Sequence, residues 1–324
     1  MNPLKIVFMG TSDFAVPALR ALAGASYPIL SVVTQPDRPA GRGLELKASP
    51  VKQEALALSL PVFQPEKIKA PESVEFLRNL RPDVMVVAAY GQILPKAVLE
   101  IPRVACLNIH GSLLPKWRGA APIHYALMNG DGETGVTIMY MNEKMDEGDI
   151  LLMEKTAVGP LETTGQLHER LAQMGAQALV KALELLSDGK AGRTPQDGSQ
   201  ATYAPSLKRE QCKIRWDRRA GQVVNQIRGL SPWPCAETQW GGKQLRVFQA
   251  EAVSGAGATP GQVPLAGQVP PPGQVLSIEK EGITVAALDG RVLMKEVQPP
   301  GKRRMSAYDF TLGHPDFKTG EQLK

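Results

Sequence analysis

The chain opens on a short apolar run, Leu4–Met9, and returns to such runs at Ile29–Thr34, Val84–Ala89 and Ala105–Ile109. These runs are rich in Val, Ile and Leu and do not alternate with polar residues, as expected of parallel strands buried on both faces. Between them, Val16–Ala23, Ser49–Ser59 and Glu72–Leu80 place their apolar residues at helical spacing. Ser49 before Pro50 supplies an N-cap followed by a residue preset for the first helical turn. Strands alternating with helices in this way predict a doubly wound, mostly parallel α/β sheet. Two more strands are expected at Thr134–Met141 and Ile150–Val158, and then the clearest helix of the chain, Thr164–Ser187. Its start is marked by capping-box spacing between Thr163 and Gln166, and Gly189 follows its end. Leu167, Leu171, Met174 and Ala178 share one face of it, which reads as core.

The pattern then changes. Lys190–Ser206 is rich in Gly, Pro, Ser and Thr and reads as a linker, dividing the chain into a first domain over 1–189 and a second over 207–324. The second domain starts with a helix over Arg218–Arg228, capped by Asp217. Strands follow at Gln244–Ala250, Gln274–Ile278, Ile283–Leu288 and Arg291–Val297, with Asp289-Gly290 as a hairpin signal between the last two. Short strands with tight turns predict a small β-barrel, and a last helix starts near Ser306. Within this region Ser254–Gly273 repeats Gly-Gln-Val among prolines and has too few large apolar groups to build a core, so it reads as a flexible insertion.

Composition narrows the classes. Of 324 residues, 43% are hydrophobic and 21% charged, the balance of a globular protein. No stretch approaches the roughly 20 apolar residues of a membrane span, and the first run is too short for a signal peptide, so a cytoplasmic protein that does not engage membranes is expected. Cys106, Cys212 and Cys235 lack paired spacing, and His110, His124, His168 and His314 form no His-x-x-x-His pair, so no metal site is expected. Charge is uneven: from Leu207 onward 17 Lys and Arg face 11 Asp and Glu, a balance of +6, whereas the first 206 residues carry −1. A basic module beside a neutral one fits a nucleic-acid partner or a solvated basic surface, and charge alone leaves both open.

The candidate chemistry lies in Asn108-Ile109-His110-Gly111-Ser112-Leu113-Leu114-Pro115-Lys116-Trp117-Arg118-Gly119. Asn108 and His110 stand two apart at the end of a predicted strand, so both side chains point to one face, at the edge where open α/β sheets place ligands. Taken singly, each is better read as satisfying a local backbone group. The string as a whole, with Asp146-Glu147-Gly148-Asp149-Ile150-Leu151 downstream, resembles the folate-dependent formyltransferases. That resemblance extends to Gly10-Thr11-Ser12-Asp13-Phe14-Ala15, to Tyr90-Gly91-Gln92-Ile93-Leu94-Pro95 and to Arg118-Gly119-Ala120-Ala121-Pro122-Ile123. It covers nearly the whole chain except Ser254–Gly273. Gly10 after the first strand is a feature shared with dinucleotide sites, but the Gly-x-Gly-x-x-Gly fingerprint is absent, which disfavours a dehydrogenase.

The resemblance implies a Rossmann-like catalytic sheet with a C-terminal OB-like barrel, and 10-formyltetrahydrofolate as co-substrate. Attack of an amine on a formamide carbon builds negative charge on oxygen, which calls for donors aimed at it. Asn108 and a protonated His110 are expected to supply them, with Asp146 orienting His110; either His110 or Asp146 accepts the proton. Ser112, Leu113, Leu114 and Pro115 are expected to line the folate, with Tyr90 and Gln92 in the turn against its pterin. Asp149 supports the site or caps a turn. Phe14 belongs to a methionine pocket or to the core, the latter being the commoner fate, and for His124 and His168 a structural role is favoured. Within the family, the loop Thr34–Gly43 resembles that of members acting on initiator methionyl-tRNA, with Arg38 and Arg42 as tRNA contacts, although Leu44-Glu45-Leu46-Lys47 is less basic than expected of them. A monomer with the basic second domain on tRNA is the expectation. The alternative acceptor is an amino sugar nucleotide.

Overall fold

In the computed structural model, residues 3–40, 45–253 and 270–324 are described. The chain forms two compact units, which interleave in sequence: one comprises Met1–Pro122, Glu133–Ala157 and His168–Pro205, the other Ile123–Gly132, Val158–Leu167 and Ser206–Lys324.

The first unit is built on strands β1 (Ile6–Gly10), β2 (Ile29–Val33), β5 (Val62–Phe63), β6 (Val84–Ala88), β7 (Ala105–His110), β8 (Glu133–Tyr140) and β9 (Ile150–Ala157), in the order β5-β2-β1-β6-β7-β8-β9. From β5 to β7 the pairing is parallel, and β7–β8 and β8–β9 are antiparallel. The parallel-dominated, Rossmann-like sheet expected from the apolar runs is therefore present. Every residue of β1 and of β6 is buried, which explains why neither alternates. A separate ribbon, β3 (Arg38–Ala40) with β4 (Glu45–Lys47), pairs antiparallel.

Helices α1 (Val16–Gly24), α2 (Pro50–Ala57), α3 (Pro71–Leu80) and the short α4 (Lys96–Leu99) follow the strands. At α2 the Ser49 hydroxyl accepts the Lys52 N–H at 3.0 Å, the cap read from the sequence. The long helix α6 (Thr164–Ser187), which follows α5 (Pro122–Met128), carries the Thr163–Gln166 capping box: the Thr163 N–H donates to Gln166 Oε1 at 2.9 Å, and the Gln166 N–H to Thr163 Oγ1 at 3.4 Å.

The second unit holds an antiparallel sheet of β10 (Ala236–Trp240), β11 (Lys243–Val253), β12 (Val275–Glu279), β13 (Gly282–Ala286) and β14 (Arg291–Gln298), ordered β10-β11-β14-β13-β12, with β15 (Met305–Ser306) paired to β14. Helices α7 (Ala220–Leu230) and α8 (Ala307–Leu312) complete it, and Val223, Ile227, Trp240, Val247, Val285, Met294 and Phe310 share its core. The C-terminal residues join the two outer strands: Lys324 exchanges backbone hydrogen bonds with Gln239, and Val275 donates to the Glu321 carbonyl.

One expectation is corrected here. Asp217 does not cap α7; it is drawn into an ion pair with Arg215 at 2.8 Å, and Asp289 of the β13–β14 hairpin accepts the Ala220 N–H at 2.9 Å in its place. Within the segment 190–206, read from the sequence as the linker, Thr194 pairs with Ile150 on the edge of β9 and Ala204 pairs with Arg118 and Ala121. Of the stretch Ser254–Gly273, residues 254–269 lie outside the described residues, while Gly273 donates to Ala286 and accepts from Leu323, so the stretch ends in the sheet.

A Cβ on Gly135 in β8 would run into the Glu154 carbonyl of β9 and the Leu113 methyl, whereas one on Gly192 meets nothing. Gly135→Ala is expected to lower the unfolding free energy by about 1–3 kcal/mol. Urea titration beside Gly192→Ala checks this, and equal midpoints for the two variants would show that the strands separate freely.

Candidate active site

β7 lies where parallel pairing on one side gives way to antiparallel pairing on the other. Its last turn of pleat carries Asn108, opposite Met139, and His110, opposite Thr137. The period of two sends both side chains to one face. His110 is 5% exposed and Asn108 half-buried.

The third group arrives from the turn between β8 and β9. Asp146 has φ +54°, a left-handed conformation that Asp tolerates better than most residues. Two residues on, a side chain at Gly148 would collide with the Tyr140 carbonyl, so the turn can return to β9 only through glycine. Asp146 Oδ2 accepts the Gly119 N–H at 2.8 Å and lies 3.6 Å from His110 Nδ1, and Oδ1 faces Asn108 Nδ2 at 3.5 Å. On the far side of the ring, His110 Nε2 is 2.9 Å from the Trp117 carbonyl. A carbonyl only accepts, so Nε2 carries a proton, and a neutral ring then turns its Nδ1 lone pair toward the carboxylate. The pair has room for one more proton between them. With Nε2 spent on the Trp117 carbonyl and Nδ1 turned to the carboxylate, the Asn108 amide, with its long contact to Asp146, is the more available donor.

The loop after β7 is held by Thr137, fully buried on β8. Its hydroxyl donates to the Ser112 carbonyl at 2.7 Å and accepts the Leu114 N–H at 3.1 Å. Ser112 is buried, with Oγ donating to the Lys116 carbonyl at 2.6 Å, and Leu114 is buried, while Leu113 and Pro115 are half-buried. Ser112 through its side chain and Leu114 through its amide therefore shape the loop from within.

The Tyr90–Pro95 turn is tied down on its inner side. The Tyr90 carbonyl accepts Thr11 Oγ1 at 2.7 Å and Gln35 Nε2 at 3.3 Å. The Tyr90 ring lies in the core with Val7, Met9, Leu77 and Val98, and burial pushes its hydroxyl up to about 12. Gln92 spends its amide on neighbouring backbone: Oε1 accepts the Ile68 N–H at 2.8 Å, and Nε2 reaches the carbonyls of Pro65 and Glu66. Its side chain braces the turn. Ala89 and Ile93 are exposed on it.

Other candidates fall as follows. Asp149 sits 4.0 Å from Arg193 and not beside His110. Phe14 is buried, edge-on to His168 at 5.3 Å, and His168 lies 3.6 Å from Asp13. His124 Nε2 is 3.3 Å from the Trp233 carbonyl. Arg38 is exposed and paired with Glu66 at 3.1 Å, and Lys52, bonded to Asp37 at 2.6 Å, holds that carboxyl below the usual range, with Gln64 adding a second hydrogen bond. Arg42 lies outside the described residues. Sequence reading missed Thr137, Arg118 and Gln196. Arg118 lies within the quoted motif and Thr137 within a predicted strand, but nothing local gave either of them or Gln196 a task, since each acts through a partner distant in sequence. Among the described residues no group of three or more His, Cys, Asp or Glu side chains converges as a metal site would, and no helix is long and apolar enough to cross a membrane.

Residues 4–183 match the family described as formyl transferase, and residues 206–315 match the formyl transferase C-terminal domain. The chain is 49% identical to the methionyl-tRNA formyltransferase of Pelotomaculum thermopropionicum, over 96% of each chain. It is 47% identical to that of Syntrophus aciditrophicus, over the full length of both. Its fold is similar to an N-formyltransferase from Helicobacter canadensis solved with folinic acid and dTDP-3-aminofucose, with a TM-score of 0.67, 15% identity, and coverage of 91% of this chain and 99% of that one. It is also similar to HypX from Aquifex aeolicus in complex with tetrahydrofolic acid, with a TM-score of 0.64, 17% identity, and coverage of 96% and 47%. With both matched regions in chain order and relatives nearly half identical from end to end, the chain belongs to the formyl transferase family.

Proposed function

We propose that this protein transfers a formyl group from 10-formyltetrahydrofolate to the α-amino group of initiator methionyl-tRNA. The observation that carries the reading is the convergence of Asn108, His110 and Asp146 on one side of β7, joined to 47% and 49% identity with methionyl-tRNA formyltransferases over nearly the whole chain. An α-amino group titrates near about 8, so a fraction is neutral and nucleophilic at pH 7. As its nitrogen bonds to the formyl carbon, the carbonyl oxygen gains negative charge. Asn108 Nδ2, held by the long 3.5 Å contact, turns to that oxygen. The new ammonium loses its proton to the His110–Asp146 pair, which has room for it between Nδ1 and Oδ2. As the bond from the formyl carbon to N10 breaks, the pair returns this proton to N10, so tetrahydrofolate leaves as a neutral aryl amine and one shuttling pair serves both proton transfers.

The folate is read as lying along Leu113–Pro115, with the Tyr90–Leu94 backbone toward its ring. The support is the apolar, partly exposed surface of Leu113 and Ile93 and the internal bracing that leaves the turn's outer face unspent. Tyr90, Gln92, Ser112 and Leu114 act in this reading through backbone and loop shape. The second unit is read as an OB-like barrel on tRNA, closed by the C-terminal residues that join β10 and β12. The functional division is read as falling after the segment 190–206, with the first unit carrying chemistry and 207–324 carrying RNA affinity. Arg38 and Arg42 are read as contacts near the reactive end, in a cytoplasmic monomer.

The direct test incubates the protein with 10-formyltetrahydrofolate and either methionyl-tRNA or a nucleotide-linked amino sugar. Formyl-methionyl-tRNA is the expected product, and formylation of the sugar alone would overturn the acceptor. Asn108→Ala and His110→Ala are expected to lower kcat on the order of a hundredfold or more with KM little changed. Near-normal turnover in either variant removes that residue from the mechanism.

Affinity for tRNA is expected to fall steeply with salt, because each phosphate contact releases counterions, while folate affinity changes little. Arg42→Ala lowers tRNA formylation and reduces the slope of log affinity against log salt by about one. A titration giving the same slope for tRNA and folate would sink the RNA assignment.

A further inference from the structure

Between the end of β8 at Tyr140 and the start of β9 at Ile150, the turn bearing Asp146 is outside any regular element. Its backbone is nonetheless held, by a side chain from the segment 190–206. The Gln196 amide donates one N–H to the Asp146 carbonyl at 2.8 Å and the other to the Gly148 carbonyl at 2.7 Å. Its oxygen accepts from Arg118 Nε at 3.1 Å and Nη2 at 2.8 Å. Two donors and two lone pairs are thereby all used. Arg118 is 5% exposed, and its remaining nitrogen Nη1 is 3.4 Å from Glu147 in the same turn.

The strand-like strap around Gln196 makes this a junction of three segments. Thr194 exchanges backbone hydrogen bonds with Ile150, directly after the Asp146 turn. Thr202 and Ala204 bracket Arg118, with the Arg118 N–H donating to Thr202 at 2.9 Å and the Ala204 N–H to Arg118 at 2.8 Å. The next residue after Arg118 is Gly119, whose N–H binds the Asp146 carboxylate. The strap therefore crosses both arms of the site, and Gln196 stands at the crossing.

We propose that Gln196 is a positioning residue of the transfer reaction, clamping the Asp146–Gly148 backbone to Arg118 and so fixing where the Asp146 carboxylate meets His110, Asn108 and the Gly119 amide. The inference rests on the formyl-transfer reading for its kinetic consequence, but its structural half stands by itself. Only an amide serves here. A carboxylate at 196 would keep Arg118 and turn oxygen lone pairs against the two carbonyls; an apolar side chain would leave Arg118 and both carbonyls without these partners. The guanidinium also polarises the amide it donates to, which strengthens the two N–H bonds on the other end.

The test uses the full chain carrying Gln196→Met, Gln196→Glu or no change, each alone and with Asp146→Asn. Amide hydrogen exchange at Gly119 is expected to speed up roughly tenfold or more in both Gln196 variants, with exchange in β6 unchanged as the control for folding. In turnover with 10-formyltetrahydrofolate and methionyl-tRNA, kcat is expected to fall on the order of tenfold to a hundredfold while both KM values stay within about twofold. Because Gln196 works through Asp146, adding Gln196→Met to Asp146→Asn is expected to cost less than about threefold more. Unchanged Gly119 exchange, or losses that multiply in the double variant, would overturn the proposal. An unsubstituted chain that forms no product would instead strike the formyl-transfer reading, and Gly119 exchange would still decide whether Gln196 holds Asp146.

Discussion

A carboxylate set beside a buried imidazole is stable only if the rest of the chain satisfies its oxygens, because each charge removed from water loses its hydration and regains it only through fixed donors. Here the Gly119 N–H meets Asp146 Oδ2, and the Trp117 carbonyl meets the opposite nitrogen of His110. Much of the local architecture follows from that requirement. The turn must bring Asp146 in with a left-handed backbone, Gly148 must lack a side chain to let the chain return, and residues 117–119 must pass close enough to offer one carbonyl and one amide. Neither His110 nor Asn108 could impose this from β7 alone.

The sheet supplies the rigidity. β7 is clamped between a parallel neighbour and an antiparallel one, and the antiparallel side is what places Thr137 directly opposite His110. From there Thr137 reaches two backbone groups of the following loop, so the position of Ser112–Pro115 is tied to the same register that positions the imidazole. A slip of one residue between β7 and β8 would turn His110 to the other face and release the loop together. Geometry needed for the chemistry and geometry needed for the fold are therefore one constraint.

Sequence and structure agree where the signal is periodic. Buried strands show as apolar runs, α6 as a striped helix with its capping box, and the pairing of Asn108 with His110 as a spacing of two, because in each case the physical cause lies within a few residues. What was not legible depends on partners far along the chain. Gln196 lies in a stretch of Gly, Pro and Thr whose composition is that of a linker, and only its fold against Ile150 and Arg118 gives the side chain a task. Asp217 had the right place for a cap, yet Arg215 two residues earlier competes for it, and a hairpin aspartate 69 residues beyond Ala220 takes the position. Gln92 sits in a motif associated with ligand binding, and its amide is spent on the backbone behind it.

The charge distribution shows how far a linear reading carries. Cut at Leu207, the last segment holds +6; but the second unit also includes 123–132 and 158–167, which bring Asp131 and Glu162 and lower its balance to +4. Within it, Arg215, Arg219, Lys295 and Arg304 pair with Asp217, Asp289, Glu251 and Glu296. Each pair removes one charge of each sign, so the net value is untouched while the surface becomes more uneven. At physiological ionic strength, where fields decay over about 8 Å, a phosphate responds to nearby charges and not to the total. Arg228 is a different case: it is 8% exposed, burial lowers its pKa, and its guanidinium donates to Asn225 and to the Gly159 carbonyl, which holds the segment 158–167 to α7. That cation counts in the sum and is spent inside the unit. The basic residues left at the surface, and not the +6 read from the sequence, set the field that an RNA backbone would meet.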